Sequence, residues 1–124
     1  MFVLVKQNNR DIYLNINNII SYQDFGSAGS HIVSINTVDE HFSSSQDIAD
    51  LDATILLDPH SHFIILNSRR LNLRYIFSFE KYSSELSEYK TKIMTGKYNN
   101  YFLVDEDVDT VGMLIKKALN KHGC

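Results

Sequence analysis

Tryptophan is absent from this 124-residue chain, proline and cysteine occur once each, and glycine occurs five times. So few chain breakers leave no composition for a linker or a low-complexity segment. The lone Cys124 is the last residue. It cannot close a disulfide within the chain, and the expected compartment is a reducing cytoplasm. No run of eighteen apolar residues occurs, which excludes a membrane-spanning helix. Met1 to Val5 is apolar but Lys6 follows at once, unlike a signal peptide. There is no glycine-rich phosphate loop, no nucleophile elbow and no zinc-protease helix motif. The expectation is a protein that is not an enzyme, with no cofactor and no membrane partner.

What is present reads as one domain over residues 1–124, with 44% hydrophobic and 22% charged residues. The net charge of −3 is unevenly placed. Residues 1–58 hold two bases against eight acids, a net of −6, while residues 59–124 hold ten bases against seven acids, a net of +3. Local potential matters more than the total for attracting a polyanion, so the second half keeps a nucleic-acid partner open.

Phe2 to Val5 and Ile12 to Leu14 read as a hairpin around Gln7-Asn8-Asn9-Arg10. Strands follow at Ile19 to Phe25 and His31 to Thr37, separated by the loop Gly26-Ser27-Ala28-Gly29-Ser30, and His41-Phe42 pairs back after a turn at Val38-Asp39-Glu40. Ser43-Ser44-Ser45 offers hydroxyl caps to a helix near 45–57 striped by Ile48, Leu51 and Ile55, with Asp47 in its first turn. Asp58-Pro59 stops that helix. The second half reads as strands Tyr75 to Glu80, Tyr89 to Met94 and Tyr98 to Val104, with a turn at Thr95-Gly96-Lys97. A helix near 106–121 then opens on acids and closes on Lys116, Lys117 and Lys121, the order a helix dipole favours. Both halves thus read strand, strand, strand, helix, about sixty residues apart.

The stretch Asn67-Ser68-Arg69-Arg70-Leu71-Asn72-Leu73-Arg74 carries three arginines and two asparagines behind the apolar run Phe63-Ile64-Ile65-Leu66. Guanidinium forks and carboxamides are the groups that grip phosphates and read base edges. The same residues also suit a solvated turn.

In register across nearly the whole chain, this pattern resembles the LytTR family of bacterial DNA-binding domains. The resemblance rests on Asn17-Asn18-Ile19-Ile20-Ser21-Tyr22 at the third strand and on Phe63 to Asn72. It implies a β-rich α+β fold of small antiparallel sheets with two short helices, elongated, whose loops enter successive major grooves. The expected function is a small stand-alone transcriptional regulator: no receiver domain precedes the pattern, so switching by phosphorylation in the response-regulator manner is not expected. By the resemblance, Ser30 and His31 form one duplex-DNA contact, and Asn67, Ser68 and Arg69 a second; Arg70 is expected to join the second, with Arg74 and Lys90 or Lys92 as phosphate contacts. The family's third contact loop carries a basic residue before the last helix, where this chain has Val104-Asp105-Glu106-Asp107; Ile65 also replaces a usual basic residue. Either the remaining arginines compensate, or this copy of the fold binds a protein partner or a second copy of itself. A small flagellar-type or phage-encoded adaptor is a more distant reading.

His60-x-His62 with His41 as a possible third ligand would make a metal site only with three or four ligands converging, and no cysteine is near. Tyr98 and Tyr101 suit a partner surface as well as strand positions.

Overall fold

The computed structural model describes residues 1–26, 30–96 and 100–120. The middle of the Gly26–Ser30 loop, Lys97, Tyr98, Lys121 and Cys124 lie outside them. Two compact units result, Met1–Asn72 and Leu73–Cys124. Among the described residues the fold is β-rich α+β: a two-stranded, a five-stranded and a three-stranded antiparallel sheet with two α-helices.

Strands β1 (Phe2–Gln7) and β2 (Arg10–Asn15) pair along their whole length, from Phe2↔Asn15 to Gln7↔Arg10. Their two-residue turn holds Asn8 and Asn9 at φ 48° and 64°. Positive φ at both turn residues gives the twist a tight hairpin needs, and asparagine tolerates it better than most side chains. A 3-10 turn at Ile16–Asn18 leads into β3 (Ile19–Asp24), β4 (Val33–Thr37) and β5 (His41–Ser44). Helix α1 (Ile48–Ile55) follows, then β6 (Phe63–Leu66) and β7 (Arg69–Asn72), giving the sheet order β5-β4-β3-β7-β6. Val3, Val5, Ile16, Ile19, Tyr22, Ile35, Phe42, Leu51, Ile55 and Phe63 form its core.

The serine run does not cap α1. Ser43 and Ser44 belong to β5, and Ser44 is buried with its hydroxyl on Gln46. Asp47 is the cap, its carboxylate accepting from the Ala49 amide at 3.1 Å. The helix begins three residues later than the hydroxyls imply because the extended chain continues through them.

In the second unit a 3-10 turn at Leu73–Tyr75 replaces the start of the strand expected from Tyr75, and the strand itself is β8 (Ser78–Lys81). β9 (Thr91–Met94), β10 (Tyr101–Val104) and α2 (Val108–Leu119) complete it, with sheet order β10-β9-β8. No helix among the described residues is long and apolar enough to cross a membrane.

Candidate nucleic-acid interface

The β6–β7 hairpin turns on Asn67 and Ser68, with Leu66 paired to Arg69. Asn67 sits at φ 55°, the left-handed region, where its short carboxamide is tolerated. Both residues are exposed. The turn is tied to the end of β3. The Asp24 amide donates to the Ser68 carbonyl at 3.2 Å, and the Gln23 carboxamide nitrogen donates to Ser68 Oγ at 3.2 Å.

Ser30 and His31 come to the same end of the five-stranded sheet. Asp24 pairs with Val33 in the β3–β4 ladder, and the Phe25 amide donates to the Ile32 carbonyl at 2.7 Å. The Asp24 carboxylate accepts from the Gly26 amide at 2.8 Å, holding the chain at Gly26 as it leaves β3. Exposed Ser30 and His31 and exposed Asn67 and Ser68 are therefore presented from adjacent strand ends.

The arginines behave differently from one another. Arg69 is partly buried, its Nε and Nη2 donating to Gln23 Oε1 at 3.2 and 3.0 Å. Arg70 is bidentate on Asp52 of α1, with Nε to Oδ1 at 3.1 Å and Nη2 to Oδ2 at 2.9 Å. Its Nη1 donates to the Asn67 carbonyl at 3.3 Å, bracing the turn from behind. Asp52 also accepts from the Tyr22 hydroxyl at 2.7 Å. Burial, then the hydrogen bond and charge of Asp52, hold the Tyr22 phenol far above its ordinary value, while Arg70 pulls the other way. Arg70 thus locks helix, sheet and turn together. Nothing in sequence spacing signals this, since its partner lies on another element; Gln23, which orients both Ser68 and Arg69, was equally silent.

Arg74, Lys90 and Lys92 belong to the second unit. Arg74 lies in the 3-10 turn before β8, at the end of the β8–β9 ladder opposite to Lys90, whose carbonyl accepts from the Tyr82 amide at 2.9 Å. The Lys92 ammonium sits 4.7 Å from the Tyr101 ring centroid, a cation–π contact on one strand pair.

The acidic segment has local work to do. Asp107 caps α2, accepting from the Thr110 amide at 2.8 Å, and that bond holds its carboxyl below the ordinary range, with Lys90 helping less. Asp109 lies in the first turn. Glu106 Oε1 is buried and has no hydrogen-bond partner among the described residues. His41 meets Ser34 Oγ at 2.5 Å through Nε2, and no group of three metal-ligating side chains occurs among the described residues.

The fold is similar to that of a solved LytTr DNA-binding domain from Bacillus cereus, with a TM-score of 0.58, 13% identity and 95% of both chains covered. No family model matches the sequence, and no curated protein does.

Proposed function

We propose that this chain acts as one LytTR-like domain that binds duplex DNA sequence-selectively, as a small non-enzymatic regulator of transcription in the bacterial cytoplasm. The observation that carries the reading is the convergence of Ser30-His31 and Asn67-Ser68-Arg69 at one end of the five-stranded sheet. In this assignment Asn67 reads a base edge, Ser30, His31, Ser68 and Arg69 hold the backbone, and Arg70 shapes the turn from inside. Arg74 and Lys90 or Lys92 supply phosphate contacts from the second unit.

Fluorescence anisotropy against duplexes enriched from a random pool tests this. Arg69→Ala should weaken binding to all sequences and lower the salt slope by about 1. Asn67→Ala should instead relax preference at one position by about 1–3 kcal/mol. No binding to any duplex at low salt overturns the reading.

The second reading, an interaction module that binds a protein instead, is favoured by the carboxylates of Asp105, Asp107 and Asp109 where a basic residue would meet phosphate. Asp105→Arg separates the two. It should tighten DNA binding at low salt under the first reading, and create no DNA affinity under the second.

A further inference from the structure

Residues 73–119 repeat the build of residues 16–55, rung for rung. The 3-10 turn Ile16–Asn18 recurs at Leu73–Tyr75, and the caps Asp47 and Asp107 open the two helices. The cross-strand rung Tyr22-Ile35-Phe42 recurs as Phe79-Ile93-Phe102, and the rung Asp24-Val33-Ser44 as Lys81-Thr91-Val104. The helix stripe Ile48, Leu51, Ile55 recurs as Val108, Val111, Ile115.

The two copies differ in what covers them. In the first, β7 pairs along the outer edge of β3, placing Arg70 opposite Tyr22, and Phe63 packs edge-on to the Tyr22 ring at 5.8 Å. In this copy Ile16, Ile19, Tyr22 and Ile55 are sealed, none more than 1% exposed. In the second, no strand pairs with the outer edge of β8 among the described residues. The matching residues Leu73, Ile76, Phe79 and Ile115, with Phe77 and Leu119, line an open groove of about 450 Å³. Phe77 and Leu119 are each 63% exposed.

We propose that this edge joins two copies of the chain, β8 pairing antiparallel with β8 of a second copy to make one six-stranded sheet. The chemistry of the covering residue points to an apolar side chain. Where α1 carries Asp52 to hold Arg70 against Tyr22, the equivalent position of α2 is Gly112, and a Cβ there would lie 3.8 Å from the Phe79 ring. The second unit has no carboxylate at that position for a cation opposite Phe79, and a second Phe79 suits the space. Register follows from symmetry. A two-fold axis normal to the sheet makes one residue meet its own copy. Centring on Glu80 or Lys81 opposes like charges, which destabilises a strand pair. Centring on Ser78 runs the partner strand into the 3-10 turn. Centring on Phe79 gives an aromatic pair flanked by Ser78 opposite Glu80 of the second copy. Aromatic cross-strand pairs stabilise sheets, and an open strand edge is a template for such pairing.

The test uses the full chain without DNA, so its outcome is independent of the DNA reading. In a Cys124→Ser background, Ser78→Cys with Glu80→Cys should give a covalent dimer on mild oxidation, because opposed residues lie within disulfide reach. Glu80→Cys alone should give none. In sedimentation equilibrium the wild-type mass should rise with concentration from 14.3 kDa towards twice that value. Phe79→Lys should remain at the monomer mass; should it fail to fold by circular dichroism, the cross-linking arm decides. A wild-type chain that stays monomeric at the highest soluble concentration overturns the proposal. So does a cross-link formed equally by the single-cysteine variant, or a dimer that persists in folded Phe79→Lys.

Discussion

Asp52→Ala removes one carboxylate and strands two partners, and its cost can be worked from their burial. Tyr22 is fully buried, so its hydroxyl would be left without an acceptor inside the core, at about 1–3 kcal/mol. Arg70 keeps a path to water, its side chain 14% exposed and that of Asp52 20%. Its loss therefore falls below the ~3–5 kcal/mol of breaking a fully buried pair. Together they predict a destabilisation of about 3 kcal/mol in urea denaturation followed by near-ultraviolet circular dichroism of the tyrosines. Arg70→Met combined with Asp52→Ala should cost less than the two single changes added together, by about 1–2 kcal/mol, because the second change removes a charge already stranded. A loss below about 1 kcal/mol, with additive single and double variants, would match an exposed ion pair and refute the reasoning. In the same variant the Asn67 carbonyl is the acceptor left to the Arg70 guanidinium among the described residues, so under the DNA reading proposed above selectivity should fall with stability.

Further outcomes are expected. Asn67→Gly should keep stability within about 0.5 kcal/mol, whereas Asn67→Val should cost about 1–2 kcal/mol, because a β-branched side chain resists positive φ; thermal melts separate them. Asp47→Ala should destabilise by about 1 kcal/mol while Ser45→Ala changes little, as read by the same denaturation. The raised Tyr22 phenol makes stability fully present below about pH 10, where an unfolded tyrosine keeps its proton. Above that, the unfolded chain ionises first and stability falls by up to about 1.4 kcal/mol per pH unit, a slope that Tyr22→Phe should remove.

Strands announced by dense apolar runs were legible in the sequence. Phe63 to Leu66 is a strand over that same range, and the Asn8-Asn9 turn forms where two asparagines accept positive φ. The three serines misled because a hydroxyl is as much at home in a strand facing a polar neighbour as in a helix cap, and Ser44 takes the first role with Gln46. Alternation from Tyr75 looked like strand because a short 3-10 turn leaves no period of its own. At the candidate site, the exposed turn residues were readable from residue type. The employment of Arg70 by Asp52 was not, because a charge counted along a sequence carries no information about a partner on another element.

Burial is distributed very unequally between the two copies of the repeated module. Of the buried apolar side chains among the described residues, eight lie in the first copy, residues 16–55, and only Ile93, Val104 and Val111 in the second. Backbone amides protected only by a thinly packed sheet exchange with solvent through partial openings that leave a better-packed region intact. Deuterium should therefore enter β8, β9 and β10 well before β3, β4 and β7, giving one short chain two distinct lifetimes. Any ligand or copy that lies along β8 then registers as slower exchange in the early-labelling half, a readout that needs no knowledge of what has bound.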